Sequence, residues 1–253
     1  MNPGASRGDP LPSLRATTIF IDIDETITTS TAEAAEYSID ATLIRAIARA
    51  NGVCEEEAER KLRNTFDPEA ESVDTHYRAL GLDPRDLWSA LMEWFPTAFR
   101  PFPDAVEAIR DLHGRGFRLF TCTTNGNLIC RAKLAVAGLG GYEGSPFFMR
   151  LIGGSEVHPA GKSTPAFYEN LLRIAEAGPQ EVVHVGDDPH HDLALARGAG
   201  ITQVVLPARD QDQDWVMGEN GGIYVKSLSL LSGMVTKQKN STHEAEDSCA
   251  EPI

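Results

Sequence analysis

The feature that most constrains the fold is a short apolar segment, residues 17–21, which ends directly in two carboxylates, Asp22 and Asp24. The segment is β-branched and aromatic, and it is apolar on both faces of an extended chain. Such a pattern predicts a central strand of a parallel sheet that is covered on both sides. Polar groups that follow a strand of this kind lie at the carboxyl edge of the sheet, where open α/β sheets bind ligands.

Strand and helix patterns alternate through the second part of the chain. The strand patterns lie at residues 17–21, 117–122, 151–152, 182–185, 203–206 and 223–225. The helix patterns lie at residues 103–113, 128–137, 165–177 and 192–197. This alternation predicts an α/β fold with a doubly wound, mostly parallel sheet.

Residues 31–99 are patterned differently, because they show helical periodicity and no convincing strand. Four helices are predicted, at residues 39–50, 55–66, 72–80 and 84–95. Since this run follows the first strand directly, the sequence predicts a second, smaller and all-helical domain inserted into the α/β core.

The expected organisation is therefore a core made of residues 16–30 and 100–235, with an inserted helical domain at 31–99. Residues 1–15 are rich in Gly, Pro and Ser, and residues 236–253 are polar and charged. Both segments are expected to be disordered, because they carry too little apolar surface to pack.

The composition is that of a soluble globular protein, with 253 residues, 42% hydrophobic and 24% charged residues, and a net charge of −14. The negative charge argues against nucleic acid and anionic membranes as partners, because both require a basic surface. Cys54, Cys122, Cys130 and Cys249 lack metal-type spacing and follow no secretory segment. Free thiols and a cytoplasmic location are expected.

Polar residues follow three of the predicted strands at the same sheet edge, and a lysine lies in a loop that can reach it. These residues are Asp22, Asp24, Thr124, Asn125, Lys162, Asp187, Asp188 and Asp192. Clustered carboxylates repel one another unless a cation binds among them, and ligands that offer only oxygen favour Mg²⁺. Hydroxyl and ammonium donors beside such a metal suit a phosphoryl group.

In these motifs the sequence resembles the haloacid dehalogenase (HAD) superfamily, in the branch of phosphatases with a helical cap after the first motif. The motifs are Asp-x-Asp-x-Thr after an apolar strand at 19–26, a strand ending in threonine at 119–126, a lysine before a helix at 161–165, and Gly-Asp with a later aspartate at 185–192. Four motifs in the family's order are specific where one alone is not. Two positions depart from the family pattern: Glu25 replaces a common glycine, and Ser163 replaces a common proline.

The resemblance implies that Asp22 attacks phosphorus and that Asp24 first protonates the leaving group and then activates water. It implies Mg²⁺ held by the Asp22 carboxylate, the Asp24 backbone carbonyl and Asp187, with Asp188 or Asp192 assisting directly or through water. It assigns phosphate binding to Thr124, Asn125 and Lys162.

The expected function is a Mg²⁺-dependent phosphatase of small phosphorylated metabolites, similar to phosphoglycolate phosphatases and nucleotidases. A phosphomutase would use the same residues and stays an alternative. Haloacid dehalogenation is a weaker alternative, because that reaction needs no acid such as Asp24. A phosphoacceptor signalling domain is opposed by the order of the motifs. The chain is expected to act as a monomer or homodimer, and the helical insertion is expected to select a substrate that the sequence does not identify.

Structural interpretations of the same residues also remain. Asp22, Asp24 and Asp187 fit turn or helix-capping positions as well as catalysis. Lys162 fits a solvated surface lysine, and Thr124 fits a cap of the following helix. Asp188 and Asp192 fit an indirect partner of the site and a helix N-cap, respectively.

Overall fold

The computed structural model describes residues 10–36, 39–65, 76–159 and 161–238. The strands are β1 (Leu14–Ala16), β2 (Thr18–Ile21), β3 (Thr28–Ser30), β4 (Phe99–Pro101), β5 (Arg118–Thr121), β6 (Val182–Val185), β7 (Gln203–Pro207), β8 (Trp215–Met217), β9 (Ile223–Val225) and β10 (Val235–Lys237). The α-helices are α1 (Ile39–Asn51), α2 (Glu55–Thr65), α3 (Tyr77–Leu80), α4 (Pro84–Ala98), α5 (Pro103–Gly114), α6 (Asn127–Val136), α7 (Gly154–Val157), α8 (Pro165–Ala175), α9 (Leu195–Gly198) and α10 (Leu231–Met234).

A six-stranded sheet with the order β5-β2-β6-β7-β9-β8 forms the centre of the molecule. Its pairs are parallel except the last, in which β8 runs antiparallel to β9. All four residues of β2 are buried, and the strand lies between β5 and β6. The predicted doubly wound α/β fold, with the first apolar segment as a central strand, is confirmed.

Helices cover both faces of this sheet, as the double apolarity of β2 requires. Ile19 and Ile21 pack on one face in a cluster that includes Ile109 of α5. Phe20 points to the other face, where it joins a cluster that includes Phe167 of α8. Successive residues of one strand therefore bury their side chains in different clusters, which fixes the register of β2 and the position of the residues that follow it.

The helical insertion has an apolar cluster of its own, which includes Leu43 of α1, Leu62 of α2 and Leu91 of α4. It joins the core through an antiparallel ribbon in which β3 pairs with β4. The same cluster continues onto the core through Leu128 and Ala132 of α6. Within the described residues, 32–98 contain helices and no strand, so the sequence prediction of an all-helical insertion is confirmed there. Part of the third predicted helix, residues 72–75, lies outside the described ranges.

Two short segments that were expected to be disordered instead form strands. β1 pairs in parallel with β10, with Leu14 opposite Val235 and Ala16 opposite Lys237. The physical reason is apolar burial, because Leu14, Ala16 and Val235 belong to a cluster on one face of the sheet. The expected disorder is therefore wrong for residues 14–15 and 236–237, while residues 1–9 and 239–253 lie outside the described ranges.

The predicted strand at 151–152 does not form. Instead the hydroxyl of Thr121 accepts from the backbone nitrogen of Ile152 at 2.7 Å and donates to its carbonyl at 3.1 Å. A side chain thus takes the hydrogen bonds that a neighbouring strand would supply. The short strand β8 was missed, because Trp215–Met217 is an edge strand that is only partly buried.

None of the helices within the described ranges combines the length and the apolar character that crossing a bilayer requires.

Candidate active site

Asp22 is the first residue after β2, and its side chain is 8% exposed. Its backbone nitrogen donates to the carbonyl of Val185 at 2.8 Å, which continues the pairing of β2 with β6 by one residue. Asp22 is thereby held at the carboxyl edge, between the ends of β5 and β6.

The Lys162 ammonium lies between two buried carboxylates. Its Nζ atom is 2.9 Å from Oδ1 of Asp22 and 2.7 Å from Oδ1 of Asp192. The Lys162 side chain is 6% exposed, which excludes the interpretation of a solvated surface lysine. Burial acts to lower the pKa of Lys162, but the two carboxylates outweigh it and raise that pKa above its usual range.

Three carboxylates form the acidic cluster of the site. Oxygens of Asp22, Asp187 and Asp192 lie within 4.8 Å of one another. Burial raises the pKa of Asp22 to about 7 against the opposing effect of Lys162, and the negative charge of Asp192 adds to the rise. Burial and then the charge of Asp192 raise the pKa of Asp187 to about 6. Three close carboxylates offer only oxygen ligands, which fit a hard divalent cation such as Mg²⁺.

Asp192 is fully buried because four groups satisfy its carboxylate. Besides Lys162, His184 Nε2 lies 2.8 Å from Oδ1 and the Tyr168 hydroxyl lies 3.4 Å from it. The backbone nitrogen of Asp188 donates to Oδ2 at 3.1 Å. Burial acts to raise the pKa of Asp192, but Lys162 and His184 hold it well below the usual range.

The structural interpretation made Asp192 a helix N-cap and Asp188 an indirect partner of the site, and the structure reverses this assignment. The Asp188 carboxylate accepts from the backbone nitrogens of His190 and His191 at 2.7 Å each, and it caps the π-helical turn Pro189–Ala194. Asp192 belongs to the acidic cluster, which among the described residues does not include Asp188. The N-cap expected at Asp192 is therefore at Asp188.

Asp24 lies in a different environment, with 46% of its side chain exposed. The Lys133 ammonium of α6 donates to its Oδ1, and Asn125 Nδ2 donates to its Oδ2. The hydroxyl of Thr123 accepts in turn from Asn125 Nδ2 at 2.8 Å and from the Asn125 backbone nitrogen at 3.1 Å. Both oxygens of Asp24 are thus held by donors from the segment that follows β5.

Thr124 is exposed at the rim of the site, beside the loop that carries Lys162. A Cβ atom on Gly161 would lie 2.8 Å from Cγ2 of Thr124, so glycine is needed for these two loops to approach. Gly161 also has a φ of +58°, in the left-handed region that favours glycine. The N-cap of α6 is Gly126 and no side chain caps that helix, so the capping interpretation of Thr124 is wrong.

Glu25, which replaces the glycine common in the family, has a φ of +51°. A left-handed backbone costs a residue with a side chain about 1–2 kcal/mol, which explains why glycine suits this position. Arg209 holds the turn by donating to the carbonyls of Glu25 at 3.0 Å and Thr26 at 2.9 Å. The Glu25 carboxylate also accepts from the Thr29 hydroxyl, with distances of 3.1 and 3.0 Å to its two oxygens.

Sequence reasoning missed four residues of the site, namely Thr123, Lys133, Tyr168 and His184. The signal for Lys133 was present, because it interrupts an apolar helical face formed by Cys130, Leu134 and Ala137. A charged residue on a buried helix face needs a partner, and Asp24 is that partner. His184 and Tyr168 carried no such signal, since each fits a strand or a helix as a packing residue.

Comparison with known proteins finds relatives that are named as phosphatases. The chain is 26% identical over 198 residues to a glyceraldehyde 3-phosphate phosphatase of Methanopyrus kandleri, covering 74% of this chain and 82% of that protein. It is 24% identical over 223 residues to a protein of the same name from Methanothermobacter thermautotrophicus, covering 85% and 96%. The fold is similar to the crystal structure of a HAD phosphatase from Thermococcus onnurineus, with a TM-score of 0.53, 23% identity, and coverage of 85% of this chain and 95% of that one.

The haloacid dehalogenase-like hydrolase family model matches residues 16–200, which include all four motifs. The match spans β2, β5 and β6, the helical insertion and the acidic cluster. The chain belongs to the haloacid dehalogenase-like hydrolase family.

Proposed function

We propose that this protein is a Mg²⁺-dependent phosphatase of small phosphorylated metabolites, which acts through an aspartyl-phosphate on Asp22. One observation carries the proposal: Lys162 is buried between Asp22 and Asp192, with Asp187 in the same cluster. A carboxylate held against an ammonium at the edge of a sheet, with further carboxylates to hold a metal, suits attack on a phosphoryl group.

In this proposal an oxygen of Asp22 attacks phosphorus while the bond to the leaving oxygen breaks. Asp24 gives its proton to that leaving oxygen and later takes a proton from the water that releases phosphate. Lys162 offsets negative charge on the phosphoryl oxygens, and Thr124 and Asn125 bind those oxygens from the neighbouring loop. Asp22 and Asp24 are thus the two catalytic residues.

The residues that would hold Mg²⁺ are the carboxylates of Asp22 and Asp187 and the backbone carbonyl of Asp24. Asp192 supports the cluster, because its oxygens already accept from Lys162, His184 and Asp188. Bound Mg²⁺ would offset the repulsion among the carboxylates and the charge of the phosphoryl group. It would also favour the ionised form of Asp22, whose pKa burial raises to about 7.

We assign the role of a cap to residues 31–99, and the role of a catalytic core to residues 16–30 and 100–235. The antiparallel ribbon of β3 and β4 joins the two and is the natural hinge. A cap of this kind excludes water and selects the substrate. Since two relatives are named glyceraldehyde 3-phosphate phosphatases, triose phosphates are the first substrates to test. The free thiols of Cys54, Cys122 and Cys130 agree with the cytoplasm as the expected compartment.

The test is a hydrolysis screen over triose phosphates, phosphoglycolate, sugar phosphates and nucleoside monophosphates, with Mg²⁺ and with chelator. We expect phosphate release that needs Mg²⁺ and disappears in Asp22→Asn, while Asp111→Asn on the exposed surface of α5 keeps full activity. Mass spectrometry of acid-quenched protein should find the phosphoryl group on the peptide that contains Asp22. Turnover in chelator or in Asp22→Asn would exclude the mechanism, and transfer of phosphate to a sugar would show a phosphomutase.

A further inference from the structure

A buried lysine outside the four motifs contacts the proposed acid and base of the site. The side chain of Lys133 is 5% exposed, and its ammonium donates to Oδ1 of Asp24. Burying an ammonium is costly unless it is paired and hydrogen-bonded. Its placement on the inner face of α6 therefore depends on Asp24, a residue that is itself half-exposed to the active site.

Two donors together determine where the Asp24 carboxylate points. Lys133 binds Oδ1, and Asn125 Nδ2 binds Oδ2. Lys133 Nζ also lies 3.5 Å from Oδ1 of Asn125, so the two donors contact each other. A carboxylate with both oxygens held has little freedom to rotate, which is what a proton donor aimed at one leaving oxygen requires.

The same ammonium contacts the ribbon that joins the insertion to the core. Lys133 Nζ lies 4.7 Å from the centroid of the Phe99 ring, within the range of a cation–π contact. Phe99 is the first residue of β4 and also belongs to the apolar cluster of the insertion. Lys133 therefore touches both the catalytic carboxylate and the hinge of the proposed cap.

From these contacts we infer that Lys133 is a positioning residue, which holds the Asp24 carboxylate in the orientation that delivers a proton to the leaving group. The inference rests on the proposed phosphatase function. In the step concerned, a bond forms between an Asp22 oxygen and phosphorus, the bond from phosphorus to the leaving oxygen breaks, and the Asp24 proton moves to that oxygen. Lys133 exchanges no proton in this step.

Substrates with different leaving groups separate positioning from simple support of the fold. An aryl phosphate with a nitrophenol leaving group needs little help from an acid, whereas one with a methoxyphenol leaving group needs much more. Loss of a well-placed acid therefore slows the second substrate far more than the first. A defect in folding or in phosphate binding slows both by the same factor.

The experiment measures kcat/KM for a series of para-substituted phenyl phosphates with Mg²⁺, in the wild type, Lys133→Met and Lys133→Arg. For Lys133→Met we expect kcat/KM to fall by about 100-fold with the poorest leaving group and by less than about 3-fold with nitrophenol. For Lys133→Arg the loss of kcat/KM should depend on the leaving group in the same direction but less steeply. Phe99→Leu, which removes the ring above the ammonium, should show the smallest trend. Lys237→Met is the matched control, because that exposed lysine donates to Gly116 at the opposite end of β5.

An equal loss across the whole series in Lys133→Met would overturn the inference. Asn125→Ala gives a second test if Lys133→Met does not fold, since it removes the donor to the other Asp24 oxygen; it too must steepen the dependence on the leaving group. A wild-type protein that hydrolyses neither this series nor any compound of the metabolite screen would count against the proposed function instead, and the two failures are therefore distinguishable.

Discussion

The two carboxylates of the first motif are two residues apart in the chain, yet their surroundings differ. Asp22 is 8% exposed and shares its lysine with a second carboxylate, Asp192, whereas Asp24 is 46% exposed and, among the described residues, shares Lys133 with no other carboxylate. The pKa of Asp22 rises to about 7 because burial outweighs a shared cation. The two carboxylates of one short motif are therefore paired with different lysines, and the roles proposed for them can be tested separately.

Removal of Asp22, the proposed nucleophile, should produce the largest effect. Asp22→Asn keeps the shape of the side chain but weakens its attack on phosphorus, so turnover should fall by at least about 10⁴-fold. Asp24→Asn should also be slow, but its loss should shrink for substrates with good leaving groups. Steady-state kinetics on both variants checks this contrast. If the loss of turnover depended on the leaving group in the same way in Asp22→Asn and Asp24→Asn, the proposed division into nucleophile and acid would be excluded.

The two lysines should differ in their effect on stability. Lys162→Met leaves two buried carboxylates without their cation, so the free energy of unfolding should fall by about 3–5 kcal/mol. Lys133→Met should cost less, roughly 1–2 kcal/mol, because water can solvate the half-exposed Asp24. Urea denaturation of both variants in chelator measures the difference. A larger loss of unfolding free energy in Lys133→Met than in Lys162→Met would contradict this expectation.

The raised pKa of Asp22 predicts a pH dependence of stability. The folded pKa of about 7 exceeds the ordinary value of 3.8, so between these pH values Asp22 ionises in the unfolded chain while it stays protonated in the folded protein, and the folded state loses stability as pH rises. Asp22→Asn lacks this group. Without metal, the variant should therefore gain stability relative to the wild type from pH 4 to pH 7, by roughly 2–4 kcal/mol. Added Mg²⁺ should reduce the difference. A difference that is constant with pH would contradict the assignment.

Asp188 should give the smallest effect. Since its carboxylate caps the turn Pro189–Ala194 rather than joining the acidic cluster, Asp188→Ala should cost about 1 kcal/mol of stability. The concentration of Mg²⁺ at half-maximal activity should stay unchanged. Titration of activity with Mg²⁺ checks this, and a tenfold weaker response would place Asp188 at the metal.

Much of this architecture is predictable from sequence because the signals are local. The double apolarity of residues 17–21 predicted a central strand, and the helical periodicity of residues 31–99 predicted an inserted domain. The rule that parallel strands present their carboxyl ends at one edge brought Asp22, Asp187, Asp188 and Asp192 to the same edge, but it did not select Asp192 over Asp188 for the acidic cluster.

The missed features depend on contacts between distant segments. Leu14 pairs with Val235, and no local pattern relates those two positions. Thr121 supplies hydrogen bonds to Ile152 that a strand pattern assigns to a neighbouring strand. The His184 ring belongs to the site only because Asp192 lies 2.8 Å away. Pairings of this kind are properties of the folded chain, not of any window of sequence.

The position of β2 has a consequence for the order in which the molecule is assembled. Thr18 pairs with Arg118 of β5 on one side and with Val182 of β6 on the other. The pairing of β2 is therefore incomplete until β5 and β6, which lie much later in the chain, have been synthesised. The helical insertion lies between β2 and β5 in the chain and has local contacts and an apolar cluster of its own. We therefore expect the insertion to become compact first during synthesis, while β2, the strand that precedes Asp22, stays unpaired. Chaperone binding and aggregation should concentrate in that interval, on residues 17–21.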